Sequence, residues 1–302
     1  MKKKGLKISI LLLVFMVAFT MANAGIAAES PAQRDSNGML VLLTDWGTED
    51  FYVGAVKGVA YSIYPELNVI DISHDIEAFE VLEGAFTLIS AAREFPTGTT
   101  FAGIVDPGVG TERRPIAMET ECSRFFIMPD NGMISVIEQE FGVEAVYHIE
   151  NEDFMRPGEI SHTFHGRDIF VPTGAHIAAG RPIEEVGPEI TDYETMDIDP
   201  PEYDDGKMEG QVLNVDVYGN LHTNIDRDFF EQMDLELGDE VVVRIDDVEE
   251  TAEFALTYGD VPEGETLIFV ASNNFIEIAV NLRDASERFE AETLSEVVIE
   301  KK

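Results

Sequence analysis

A strand that runs into Asp-Pro-Gly must stop pairing there, because proline has no N–H for the ladder and glycine lets the chain turn sharply. The apolar run Phe101 to Val105 ends this way, in Val105-Asp106-Pro107-Gly108-Val109-Gly110-Thr111-Glu112-Arg113-Arg114. The Asp106 carboxylate is thereby set at the C-terminal end of a strand, the edge where open α/β sheets bind ligands. Gly108 and Gly110 let backbone come close to a ligand, and Arg113 can fold back as a fixed positive charge. An ordinary βα turn with a surface ion pair would use the same residues. A second polar knot, Thr163-Phe164-His165-Gly166-Arg167-Asp168, leads into the apolar Ile169-Phe170-Val171-Pro172. A histidine, an arginine and an aspartate crowded between apolar flanks make a poor core and a reasonable site. By type, the histidine is the natural proton acceptor near neutral pH, an aspartate can orient a water or an imidazole, and an arginine can stabilise hydroxide character. A zinc hydrolase built from His162, His165 and Asp168 is conceivable, but the spacing matches no helix-face pair of metal ligands.

Four more stretches fall in order around these two: Thr44-Asp45-Trp46-Gly47-Thr48, Pro129-Asp130-Asn131-Gly132, Tyr218-Gly219-Asn220, and Asn274 to Asn281. With all six in register, the chain resembles the S-adenosyl-L-methionine hydroxide adenosyltransferases, relatives of the fluorinase and chlorinase enzymes, from about Met39 to about Ala285. The resemblance implies that water held near Asp106, Arg113 and His165 attacks the ribose C5′ of S-adenosyl-L-methionine and releases adenosine and L-methionine, without metal or other cofactor. A sulfonium is already a good leaving group, so the need is for an oriented, partly deprotonated water in line with the C–S bond. Which of the three residues takes the proton is open.

The resemblance also implies binding roles. Asp45 would accept both ribose hydroxyls, Asp50 would pair with the methionine ammonium, and Ser272 would contact the same amino-acid end. Asn220 can present both amide donor and acceptor to an adenine edge. Phe79, Phe164 and Tyr258 are candidate walls for the adenosine, with core packing as the alternative for all three. Phe79 stands where the fluorinase pattern has tryptophan and Gly166 where it has the serine of the halide site. The segment around Cys122 is also short where a fluorinase-like chain carries an inserted loop, and these departures favour the hydroxide branch. A homotrimer is expected, with each site shared between the N-terminal domain of one subunit and the C-terminal domain of the next. Two alternatives compete: an exported nucleoside- or S-adenosyl-L-methionine-binding protein without turnover, and a halogenase. A pure binder has no need of Asp106, Arg113 and His165 together.

The elements that must position these residues form two groups. Met39 to Thr44, Leu67 to Ile72 and Thr100 to Val105 are strand-like, and Phe51 to Tyr64 and Val81 to Glu94 have helical spacing. The alternation predicts an α/β domain over residues 39–195 with a central, largely parallel sheet, continued by short strands near 116–128 and 145–149, a helix over Met133 to Phe141 and another over Asp168 to Ala179. The acidic, proline-bearing stretch 196–209 reads as a linker. Residues 210–302 then read as a smaller all-β, barrel-like domain, with strands at Gly210 to Val217, Glu240 to Ile245, Glu253 to Leu256, Thr266 to Ala271 and Phe275 to Val280.

The first 24 residues have the three parts of a cleavable export signal: Lys2, Lys3, Lys4 and Lys7, the apolar Ile8 to Met21, and Ala22-Asn23-Ala24, followed by a linker over 25–38. An exported, secreted protein with no stable membrane association is expected. Cys122 is the only cysteine and has no internal disulfide partner. The net charge is −39, and −43 without the four leader lysines. So acidic a surface has no basic patch with which to bind nucleic acid, and its self-repulsion is relieved by salt, which points to a saline habitat.

Overall fold

The structure is a computed structural model and describes residues 36–302. The export signal and most of the first linker lie outside the described residues. The first six strands are β1 (Met39–Thr44), β2 (Asn68–Ser73), β3 (Thr100–Ile104), β4 (Pro115–Glu119), β5 (Phe125–Pro129) and β6 (Ala145–His148). They form one sheet in the order β2-β1-β3-β5-β4-β6. β2, β1, β3 and β5 are parallel, while β4 runs against both its neighbours. The reversal follows from the short turn around Cys122, since a connection of this length can only join antiparallel strands.

Both faces of the sheet are covered, which is why the central strands β1, β3 and β5 are almost wholly buried, whereas the edge strand β2 carries Asn68 and Asp71. Along β1, Leu40 and Leu42 point into one core and Val41 and Leu43 into the other. Helices α1 (Tyr52–Ile63) and α4 (Val171–Ala178) cover the first face, and α2 (Val81–Ala92) and α3 (Ile134–Phe141) the second. The helix expected from Asp168 begins instead with a π-helical turn at Gly166–Phe170 and becomes regular only at Val171. Such turns recur at functional sites because they re-aim side chains within a helix.

The remaining strands are β7 (Glu202–Asp204), β8 (Lys207–Val215), β9 (Leu221–Asp226), β10 (Glu240–Ile245), β11 (Val248–Phe254), β12 (Thr266–Val270), β13 (Phe275–Val280) and β14 (Glu296–Lys301). Strands β8 to β14 close into a seven-stranded barrel, sealed by the β14–β8 pairing, with β7 added on β8. Three of these strands, β7, β9 and β14, have no counterpart among the expected ones, and β7 falls inside the acidic stretch read as a linker. In β9 (Leu-His-Thr-Asn-Ile-Asp) the buried positions include Thr223 and Asn224, so the apolar alternation that marks a strand is missing. β14 offers only the short run Val297-Val298-Ile299 at the end of the chain. The strand expected at Glu253 to Leu256 is the end of a longer one that starts at Val248 and forms a hairpin with β10.

Sheet and barrel form a single compact unit. Leu213 and Phe275 of the barrel join the core beneath α2, where the Phe86 ring meets Phe275 at 5.8 Å and His222 at 5.4 Å between centroids. The acidic stretch read as a linker is stitched down along its length. Met196 N–H donates to Ser135 Oγ (2.8 Å), Asp199 N–H donates to Gln211 Oε1 (3.1 Å), and Glu202–Asp204 pairs with β8 as β7.

Candidate active site

In the parallel pairing of β1 with β3, Thr44 lies opposite Ile104, so the two strands end level and Asp45 and Asp106 leave the sheet side by side. A cavity of about 410 Å³ opens there, lined among others by Asp45, Trp46, Phe79, Asp106, Phe164 and His165. Asp45 Oδ2 accepts the Phe79 N–H at 3.1 Å and so holds that residue, which is 67% exposed, in a left-handed conformation (φ 77°). Core packing is therefore excluded for Phe79. Phe164 stands edge-on to Trp46 (5.4 Å) and Tyr52 (5.3 Å), forming an aromatic wall.

Arg113 joins the two polar knots. Its Nε donates to Asp106 Oδ1 at 2.9 Å, its Nη2 donates to Asp106 Oδ2 and, at 3.2 Å, also reaches His165 Nδ1. The Asp106 and Arg113 side chains are each only 6% exposed, and the guanidinium lies over the Phe170 ring at 5.0 Å. A guanidinium only donates, so His165 Nδ1 accepts and the neutral ring carries its proton on Nε2. Burial, and then the Arg113 charge, hold the imidazole below the ordinary histidine value of 6.5. Burial pushes the Asp106 carboxyl up against the pull of Arg113, which makes it a stronger base while the bidentate contact keeps it ionised.

The other predicted site residues lie elsewhere on the chain. Asp50 is exposed on the turn between β1 and α1 and is not among the residues lining the cavity. Asn220 and Tyr258 line a second cleft, of about 580 Å³, on the barrel. Ser272 lies in a third, of about 600 Å³, with Phe86, Ser90 and His222. Asn220 also differs from expectation in what it offers. Its amide nitrogen already donates to Asp216 Oδ2 (3.0 Å) and Tyr258 Oη (3.2 Å), leaving only its oxygen free for a base edge.

Residues 40–187 match the SAM hydroxide adenosyltransferase N-terminal domain, and residues 210–298 match the C-terminal domain of the same family. The chain belongs to this family. Its fold is that of an uncharacterized conserved protein from Thermotoga maritima, 40% identical, with a TM-score of 0.84 over 87% of this chain and 100% of that one. An (R)-S-adenosyl-L-methionine hydrolase from Methanocaldococcus jannaschii is 29% identical over 86% of this chain and 95% of its own length. A fluorinase from Actinopolyspora mzabensis is 30% identical over 82% of this chain and 91% of its own.

Within this family member, two glycines fix how the knots meet. Gly110 has φ 77°, and a Cβ there would stand 2.2 Å from His162 O, so only glycine lets the Asp106–Arg114 turn lie against the loop that carries His165. At Gly166 a Cβ would fall 2.4 Å from the Trp46 ring, so the space a serine would need is filled by the indole. Asp168 is fully buried and accepts Arg167 Nε at 2.7 Å, Arg167 Nη2 at 2.9 Å and Ser161 N–H at 2.8 Å. It closes the loop that presents His165 and is not available to a metal. Asn131, in the Pro129-Asp130-Asn131-Gly132 stretch, donates its Nδ2–H to Val105 O at 2.9 Å and so braces the chain just after β3, next to Asp106. Only its place in an Asp-Asn-Gly turn hinted at this.

In an NMR titration the His165 ring should change charge below 6.5, and replacing Arg113 with methionine should move that midpoint upward by removing the adjacent cation. An unmoved midpoint would show that Arg113 does not act on the ring. Gly166→Ser should lower stability by about 1–3 kcal/mol through overpacking against Trp46, read from denaturant melts. A neutral effect would mean that the indole moves aside freely.

Proposed function

We propose that the protein hydrolyses S-adenosyl-L-methionine to adenosine and L-methionine. The observation that carries this reading is the Arg113 fork, which ties Asp106 to His165 beside the cavity at the ends of β1 and β3. Water attacks C5′, the C5′–O bond forms as the C5′–S bond breaks, and the bonding pair passes to sulfur, leaving the neutral thioether of methionine. The water loses one proton. His165 Nδ1 is engaged by Arg113, so the ring acts as an Nε2–H donor that orients the oxygen, and Asp106, made more basic by burial, is the proton acceptor. Arg113 steadies hydroxide character on the attacking oxygen. Asp45 holds the ribose hydroxyls, with Phe79 and Phe164 beside the nucleoside.

The adenine-facing residues Asn220 and Tyr258 and the methionine-facing Ser272 open on clefts other than that of Asp106. We take each site to be completed by a second copy of the chain, in a trimer. Apolar side chains exposed at both half-sites support this: Phe51 (66%) and Phe79 (67%) near the first, Tyr218 (76%) and Leu282 (74%) at the second. Export and adaptation to salt belong to the same proposal and rest on the leader and the net charge of −39. Halide chemistry is disfavoured because Trp46 occupies the space beside Gly166.

Purified protein given S-adenosyl-L-methionine, with and without chloride, should yield equal amounts of adenosine and methionine by chromatography. A 5′-halogenated nucleoside, or no product at all, would overturn the reading. Asp106→Asn, Arg113→Met and His165→Ala should each lower turnover by about 10²–10⁴ with losses far from additive. Asp45→Ala should mainly weaken binding, by about 1–3 kcal/mol. Light scattering that finds a fully active monomer would refute the shared site.

A further inference from the structure

The turn after β8 is organised by one carboxylate. Asp216 Oδ1 accepts the backbone N–H groups of Tyr218 (2.8 Å) and Asn220 (2.9 Å), and Asp216 Oδ2 accepts Asn220 Nδ2 at 3.0 Å. A carboxylate can only accept, so the NH₂ end of the Asn220 amide must face Asp216 and its oxygen must face away. The second Nδ2 hydrogen meets Tyr258 Oη at 3.2 Å, and that hydroxyl donates in turn to Glu277 Oε1 at 2.6 Å. Glu277 is 3% exposed on β13, and burial with the Glu277 contact pushes the tyrosine well above its ordinary value, so the hydroxyl keeps its proton. His222 sits between the two acids, 3.8 Å from Asp216 and 3.7 Å from Glu277. Asn220 itself is 5% exposed, and among the described residues its side-chain oxygen accepts no hydrogen bond.

We propose that Asp216, Tyr258 and Glu277 are positioning residues that lock the Asn220 amide, so that the site offers the base only an acceptor and selects 6-amino purines over 6-oxo purines. The inference rests on the reading that this face receives the base of a nucleoside substrate. An unrestrained asparagine would discriminate little: turning its amide by half a revolution offers NH₂ to a 6-oxo group as readily as C=O to a 6-amino group. Locked, its oxygen pairs with an exocyclic amine but opposes a 6-oxo group, acceptor against acceptor in a buried cleft. A mismatch that leaves buried polar groups unpaired lowers affinity by about 10- to 100-fold.

The test is calorimetric binding of adenosine and inosine to the purified full chain, as wild type, Asp216→Asn and Tyr258→Phe. It is paired with turnover of S-adenosyl-L-methionine and its 6-oxo (S-inosyl) counterpart. Wild type should bind adenosine at least about 10-fold more tightly than inosine. Asp216→Asn presents NH₂ where the carboxylate was, turns the Asn220 amide around, and should bring the ratio to unity or reverse it. Tyr258→Phe keeps the ring and should reduce the ratio several-fold, which serves if Asp216→Asn melts early. A merely structural role would weaken both nucleosides equally. The proposal is overturned if wild type does not discriminate, or if a folded Asp216→Asn or Tyr258→Phe protein keeps the wild-type ratio. Because nucleoside binding is read without turnover, a protein that prefers adenosine but leaves S-adenosyl-L-methionine intact would refute hydrolysis and not this inference.

Discussion

A planar guanidinium with five N–H groups is the one side chain that can hold a carboxylate in a fixed orientation and still reach a second partner, and Arg113 does both. Its position follows from the sheet. β3 ends at Ile104, just ahead of Asp106-Pro107, the turn through Gly110 can lie against the His162 backbone only without a Cβ, and the π-helical turn brings His165 within 3.2 Å of the guanidinium. Each step limits where the next group can stand. Lysine at 113 would keep the charge and lose the geometry, because an ammonium has no second fixed arm for the imidazole.

The first half of this arrangement is legible in the sequence. Strand ends are marked by Asp45-Trp46-Gly47 and Asp106-Pro107-Gly108, and helical spacing between them identifies an α/β unit whose strands end on one edge. Packing is less legible. Nothing in the residue types shows that Gly166 is required by the Trp46 ring, that Asn131 braces Val105, or that Asp168 serves arginines rather than a ligand, because these depend on contacts across the fold. The barrel is read least well for a related reason. β9 buries Thr223 and Asn224, which are satisfied by partners distant in sequence: Thr223 Oγ1 by Ile276 O at 2.9 Å, Asn224 Nδ2 by Asp199 O at 2.8 Å. A strand that meets its hydrogen-bonding needs this way need not alternate.

The acidic stretch between the two domains illustrates the opposite error. Composition alone gives a flexible tether, since proline and carboxylates dominate residues 196–209. Yet Met196 and Asp199 donate backbone N–H groups to Ser135 and Gln211, and Glu202–Asp204 adds a short strand to the barrel. Backbone hydrogen bonds are indifferent to side-chain hydropathy, so a polar segment can be fixed in place without any apolar signature. Together with the Phe86 contact to Phe275 and His222, this makes the sheet and the barrel one mechanical body. The strand-end cavity and the Asn220 cleft are then held in one fixed arrangement within each chain.

A primary amide presents a donor and an acceptor of nearly the same shape, so its value in recognition depends on what restrains its rotation. In this barrel the restraint comes from the same carboxylate that closes the turn: Asp216 accepts two backbone N–H groups with one oxygen and the Asn220 amide with the other. Local backbone geometry and amide orientation are therefore not independent, and a mutation that loosens the turn also loosens the amide. Tyr258 adds a second restraint from a distant part of the barrel: its hydroxyl donates to Glu277, which turns the O–H away from Asn220 and leaves the oxygen to accept from it. A buried acid with no direct reach to the cleft thus reinforces, through Tyr258, the amide orientation that Asp216 sets.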